Sequence, residues 1–220
     1  MTDPEAFIRA HTAIGRAALV PEFALYLASE ITPIWQATEA WLRQTGIEPP
    51  FWAFAWPGSQ ALARHVLDHP AHAHGRRVLD FAAGGGLAAI ACAACGAASV
   101  EAAEIDPLAI AAIRLNARLN DVAVIATGGD VVGQPCRWDI ILCGDVCYEA
   151  PMTRHILPWL RRMAEQAEVW IADPGRAYVP EDGATLATYV VPTTMELEDH
   201  GERRVRLFRL LPTPAPAGGR

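Results

Sequence analysis

Short apolar runs alternate with longer segments of helical spacing from residue 77 onward. Arg77–Phe81 reads as a first strand, followed by three glycines and an Ala-rich helical run, Leu87–Ala94. Ser99–Ile105 reads as a second strand. Residues 107–119 form a helix whose first residue, Pro107, suits an opening turn. Val122–Ala126 is a third strand. Trp138–Cys143 is a fourth, apolar enough to be buried on both faces. Thr153–Glu165 is a helix carrying Pro158 as a kink, and Val169–Ala172 is a fifth strand. Leu186–Val191 and Arg204–Leu211 close the pattern as two antiparallel strands. This alternation predicts an α/β fold, with a mostly parallel sheet, helices on both faces and right-handed crossovers. Upstream, Gln60–Leu67 reads as a helix and residues 1–50 as a helical extension. The Pro-, Ala- and Gly-rich residues 212–220 read as a disordered tail. The core domain is then 51–211.

Composition narrows the classes. The 220 residues are 52% hydrophobic and 20% charged, which suits a globular protein. Net charge is −7, which disfavours nucleic acid and suits a basic partner such as a lysine-bearing protein surface. No apolar run reaches the ~18 residues of a membrane span. The first residues include Asp3 and Glu5 and do not resemble a secretory signal, so the expected compartment is the cytoplasm. The five cysteines, Cys92, Cys95, Cys136, Cys143 and Cys147, lie mostly in apolar segments and read as reduced thiols. Cys92 and Cys95 form a C-x-x-C inside a helical run and have no second pair at zinc spacing, so they read as packing residues. His69, His72 and His74 allow metal binding, but Pro70 and Gly75 make a solvated linker the simpler reading.

The turn after the first strand carries the sharpest chemistry. Val78-Leu79-Asp80-Phe81-Ala82-Ala83-Gly84-Gly85-Gly86 brings the chain round tightly and close to a ligand, which glycine permits. Ligands of such sheets sit at the carboxyl ends of the strands. A carboxylate at Asp80 opposes a dinucleotide pyrophosphate and suits the cationic amino-acid end of S-adenosylmethionine (SAM). Glu104, ending the second strand, can accept both ribose hydroxyls, and Asp130, after the third, can accept from an adenine amino group. A nicotinamide-binding Rossmann domain is the competitor, because Gly84-x-Gly86-x-x-Ala89 also satisfies its fingerprint. Against it stand Asp80 and the shortage of chain for a substrate domain.

These residues carry a resemblance. Val78–Gly86, Ala103-Glu104-Ile105-Asp106-Pro107 and Asn116-Ala117-x-x-Asn120 resemble the seven-strand SAM-dependent methyltransferases, with Ala82 where the family usually has its first glycine. The resemblance implies sheet order 3-2-1-4-5-7-6, with the last strand antiparallel. Phe7-Ile8-Arg9, Leu19-Val20-Pro21-Glu22, Trp35-Gln36-x-Thr38-Glu39 and Pro50–Arg64 are similar to one subgroup, the electron transfer flavoprotein β-subunit lysine methyltransferases and their bacterial relatives. Asp145-Val146-Cys147-Tyr148 matches the Asp-x-x-Tyr signature of family 16 protein methyltransferases. The subgroup implies a protein lysine as methyl acceptor, on that flavoprotein subunit or another protein such as a ribosomal protein.

On this resemblance the cofactor set is Trp56, Asp80, Gly84, Gly85, Gly86, Glu104 and Asp130, and the catalytic pair is Asp145 and Tyr148, with no metal. Trp52, Phe54 and Trp56 would share one face if the segment is extended. Trp56 would wall the cofactor pocket and Phe54 would pack the extension. Asp145 would orient the amine and stabilise the charge developing on nitrogen, and Tyr148 would wall the channel or bond the amine. Arg176, in Asp173-Pro174-Gly175-Arg176, reads as a turn or a rim contact. Two other readings stay open: a small-molecule methyltransferase, and a SAM-binding protein without catalysis.

Overall fold

The computed structural model describes residues 3–28, 50–193, 198 and 200–213. Helix α1 (Pro4–His11) precedes a hairpin of β1 (Ala13–Ala17) and β2 (Val20–Leu27). After a 3₁₀ turn at Phe51–Ala53 come α2 (Pro57–Asp68), β3 (Arg77–Phe81), α3 (Leu87–Ala94), β4 (Ser99–Glu104) and α4 (Pro107–Leu119). Then follow β5 (Ile125–Gly128), β6 (Ile140–Gly144), α5 (Ala150–Met163), β7 (Glu168–Asp173), β8 (Ala184–Pro192) and β9 (Glu202–Arg209).

The main sheet has seven strands in the order β5-β4-β3-β6-β7-β9-β8. Counted from β3 this is 3-2-1-4-5-7-6, as the resemblance implies. β9 runs antiparallel to both β7 and β8, so it alone opposes the sheet direction. The order reverses between β3 and β6, which pair in parallel with Leu79 opposite Ile141 and Phe81 opposite Cys143. A crevice therefore opens at the carboxyl ends of these two central strands.

The central strands show a period of two on both faces. Val78, Ile140, Leu142, Trp170 and Ala172 pack with Leu62, Val66, Ile90 and Ile113 of the helices on one side. Leu79, Phe81, Ile141, Cys143, Val169 and Ile171 pack with Trp159, Leu160 and Met163 of α5 on the other. Covered faces explain why these strands read as unbroken apolar runs. Strand three begins later than expected, at Ile125. As the edge strand, with Ile125 exposed, it lacks the burial that marks the others. Pro158 lies inside α5.

The N-terminal region departs from the helical expectation. Only Pro4–His11 is helical in the described part, and Ala13–Leu27 is the hairpin. Val20, Phe23 and Leu25 are buried against the core, while Pro21 and Glu22 are exposed, a strand pattern whose first two residues hide it. The outer edge of β2 is tied to α4: Asn116 and Asn120 accept from the N–H groups of Tyr26 and Ala24 at 2.8 and 2.9 Å. The motif Trp35–Glu39, the rest of the expected helical extension and residues 214–220 of the expected tail lie outside the described residues. Among the described residues no helix is long and apolar enough to cross a membrane. All five cysteines are free thiols. His69 and His72 pack around the buried His65, and no described group of His, Cys, Asp or Glu is placed to hold a metal.

Candidate active site

The loop after β3 is held from behind. Ala82, Gly84 and Gly86 take left-handed backbone, at φ +52, +55 and +80. A Cβ on Gly85 would lie 2.9 Å from the Trp52 carbonyl oxygen, so the loop fits only with glycine there. Asp80 sits on the same sheet face as Val78 and is 3% exposed. Its Oδ2 accepts the Ala89 N–H at 2.9 Å, which pins α3 to the strand. Burial pushes its carboxyl up to about 8, the Ala89 N–H opposes that, and Glu104 adds to it. Asp80 thus braces the loop through its Oδ2. The pleat of a doubly covered strand turns it inward.

Glu104 faces the loop from the end of β4. Its Oε1 accepts the Gly84 N–H at 2.8 Å and its Oε2 the Ile105 N–H at 3.0 Å. Desolvation raises its pKa, against the pull of these two N–H groups. Its two oxygens are acceptors, the complement that the hydroxyls of a ribose diol need. Next to it a hollow of about 490 Å³ is lined by Ile105, Ile110, Arg114, Gly128 and Gly129, with Asp3 and Glu5 at its edge. Asp130 lies outside that lining. Its Oδ1 accepts the Val132 N–H at 2.8 Å and its Oδ2 pairs with His155 Nε2 at 2.7 Å.

A narrow cleft joins the glycine loop to the head of β6. It is lined by Ala82–Gly85 and Gly144, by Trp52, Phe54, Trp56 and Ser59, and by Leu25 and Leu27 of the hairpin. The 3₁₀ turn at Phe51–Ala53 breaks the extended alternation, and Trp52 is buried with Ile8 and Leu115, with Phe54 packed against the same cluster. Trp56 donates its Nε1–H to the Phe51 carbonyl at 2.8 Å. Phe51 in turn lies 6.0 Å from the Trp56 ring and 5.8 Å from Tyr148, ring centre to ring centre.

Asp145 stands at the head of β6 with φ +56 and is 8% exposed. Its Oδ2 accepts the Gly58 N–H at 2.5 Å, in the first turn of α2. That helix has no side-chain cap of its own, so Asp145 caps it from another element. Its Oδ1 accepts from Arg176, Nη2 at 2.9 Å and Nε at 3.2 Å. Desolvation pushes the carboxyl up to about 6, with Arg176 and the Gly58 N–H pulling it down. The helix start is jammed against the sheet: a Cβ on Gly58 would lie 2.3 Å from the Ala172 oxygen, and one on Gly144 2.8 Å from the Ser59 nitrogen.

Comparison with known proteins adds the family. A relative from Xenopus laevis, the electron transfer flavoprotein beta subunit lysine methyltransferase, is 39% identical over 210 residues, covering 91% of this chain and 84% of its own. The chain belongs to this lysine methyltransferase family. The human protein of the same name is 34% identical over 183 residues, covering 79% of this chain and 68% of its own. The family model of ribosomal protein L11 methyltransferase (PrmA) matches residues 61–144. The fold is shared with magnesium protoporphyrin IX methyltransferase of Synechocystis, solved with bound SAM (TM-score 0.52, 16% identity, 69% of this chain and 79% of that one). It is shared too with ribosomal protein L11 methylase of Lactobacillus delbrueckii (TM-score 0.50, 19% identity, 70% and 78%). The lysine methyltransferase family uses SAM, and the glycine cradle and Glu104 fit that cofactor.

Sequence reasoning missed several residues of this lysine methyltransferase. Pro57-Gly58 reads as a break, yet Pro57 opens α2, a start that proline at the first helical position signals. Glu198, buried beside Arg176, gave no signal. Asn116 belongs to a motif, but its bridging of Gly85 and Tyr26 does not follow from that motif.

Proposed function

We propose that this enzyme methylates a lysine side chain of a partner protein, the electron transfer flavoprotein β subunit, at the head of β6. The observation that carries the reading is the buried carboxylate of Asp145 beside a rim of aromatic rings. Phe51, Trp56 and Tyr148 form that rim, and Tyr148 is 38% exposed. Choice of partner follows the relatives similar over most of the chain. The family model of ribosomal protein L11 methyltransferase matches only residues 61–144, which end one residue before Asp145. A net charge of −7 suits a basic protein partner over nucleic acid, and we read the enzyme as cytoplasmic.

Glu104 would hold the ribose, Ile105 and Gly128–Asp130 would border the base, and Gly84–Gly86 with Trp56 the methionine end. When bound, SAM supplies an electrophilic methyl group on a sulfonium. The chain's own task is to bring a neutral amine in line with it and keep water out. A lysine has an unperturbed pKa of ≈10.4. Asp145 favours the ammonium, so it does not deprotonate the lysine by lowering that value. It orients the amine and balances the positive charge growing on nitrogen. Partial desolvation by the aromatic rim favours the neutral amine.

The test is transfer from radiolabelled SAM to purified flavoprotein β subunit, with the labelled residue located by mass spectrometry. A labelled lysine is expected. Asp145→Asn should cut kcat by about a hundredfold, with SAM affinity by calorimetry within about threefold of the wild type. Label on no lysine of this subunit, or wild-type kcat in the Asn variant, would sink the reading.

A further inference from the structure

Arg176 follows β7 in a turn that Asp173 shapes. Asp173 Oδ1 accepts the N–H of Gly175 at 2.7 Å and of Arg176 at 2.6 Å. The turn aims the guanidinium at two buried carboxylates. Nη2 donates to Asp145 Oδ1 at 2.9 Å and to Glu198 Oε1 at 2.5 Å, and Nη1 donates to Glu198 Oε2 at 3.3 Å. The Glu198 side chain is 2% exposed, and Arg203 Nε stands 3.6 Å from its Oε2. The guanidinium carbon also lies 5.8 Å from the centre of the Trp56 ring.

Burying the two carboxylates of this cluster is a poor way to gain stability, because their desolvation offsets most of the attraction. Its placement, touching Asp145 and Trp56 together, points to the reaction instead. We propose that Arg176 is a positioning residue for methyl transfer, acting through Asp145: its guanidinium, clamped by Glu198, fixes that carboxylate at the head of β6 and keeps it charged toward the acceptor amine. The inference rests on the role proposed for Asp145 above.

Three kinds of group face Asp145. The Gly58 N–H comes from α2, Arg176 from the turn after β7, and Asp173 from the end of β7, where its charge opposes ionisation. Arg176 is the cation among them. Burial drives the Asp145 carboxyl toward its neutral form, which would not balance charge on an amine. Around Arg176 the carboxylates of Asp145, Asp173 and Glu198 outnumber the guanidiniums of Arg176 and Arg203, three to two. With all ionised, the cluster carries one negative charge in excess, which suits an incoming ammonium.

The experiment is a pH profile of kcat/KM, with radiolabelled SAM and the flavoprotein β subunit as substrates, for the wild type, Arg176→Ala, Arg176→Gln and Arg176→Lys. SAM affinity is measured by calorimetry and folding by thermal melting. In the Ala and Gln variants the acid limb should rise by about one pH unit or more. Activity at pH 7 should then fall about twofold or more and recover above about pH 9. Arg176→Lys should keep the wild-type limb, and SAM affinity should hold in all three. Gln is neutral and nearly the size of arginine, so it carries the test if the Ala variant does not fold. An unmoved limb in a folded neutral variant, with the wild type active, overturns this inference alone. A wild type that binds SAM but labels no lysine overturns the acceptor reading, and the inference falls with it.

Discussion

Ala82 and Asp145 both hold left-handed backbone, at φ +52 and +56, one after β3 and the other after β6. Strain of this kind gathers where the surroundings over-determine the chain, and here it flanks the crevice on both sides. For an L-residue the left-handed well costs about 1–2 kcal/mol. Glycine at position 82 would relieve that cost but would loosen the unfolded chain by about 0.4–1 kcal/mol. Ala82→Gly should therefore gain roughly 0.5–1 kcal/mol, or about 2 °C in Tm. Calorimetric melting checks this, and a variant less stable than the wild type would show that the surroundings do not force the left-handed turn. At this scale the sequence was legible for residue type and position in the chain. Asp80, Glu104 and Asp145 were all found at strand ends. It was not legible for direction: that Asp80 accepts the Ala89 N–H depended on which side of the pleat α3 covered.

Helix α2 shows how one element serves another. It begins with Pro57, lacks a cap of its own and receives the carboxylate of Asp145 from the head of β6. Its approach is so close that Gly58 and Gly144 both meet backbone where a Cβ would stand. Gly58→Ala places a methyl 2.3 Å from the Ala172 oxygen. It should cost about 2 kcal/mol or more, since a backbone carbonyl in the sheet cannot swing aside. Urea denaturation measures that cost, and a loss below about 0.5 kcal/mol would mean the helix is free to slide. The hairpin is the reverse case. Its inward residues Val20, Phe23 and Leu25 are separated by exposed Pro21 and Glu22 and by half-buried Ala24, and its partner strand, Ala13–Ala17, has one buried residue. So weak an alternation does not separate strand from helix. The side chains of Asn116 and Asn120 hold its outer edge, a contact made across about ninety residues of chain that no local pattern contains.

Across the whole molecule, burial of titratable groups sets how stability follows pH. The Asp80 carboxyl moves from 3.8 to about 8 on folding. Below pH 4 both states hold the proton. Between about pH 4 and 8 the unfolded chain releases it while the folded protein keeps it, so stability falls as pH rises through that window. His65, held down to about 4 chiefly by burial, works the other way, losing stability as pH falls below 6.5. Comparing the wild type with Asp80→Asn cancels His65. The Tm difference should shift in favour of the Asn variant from pH 5 to pH 8, and a constant difference would place the Asp80 proton elsewhere. The alternation of strands and helices was readable from the chain because buried parallel strands write unbroken apolar runs and helices write their own period, while the strand order followed from the family resemblance. The cofactor class was readable from the glycines and acids that stand directly after the strands and from the resemblance they carry. What only the tertiary structure decided is the centre around Asp145. Gly58 and Arg176 reach Asp145 from two separate elements, and Glu198 reaches Arg176 from a third, so the group exists only once those elements have packed together. Sequence alone settled which groups stand at the strand ends, since that is local. Which partners hold them depended on long-range packing, for which no local spacing exists.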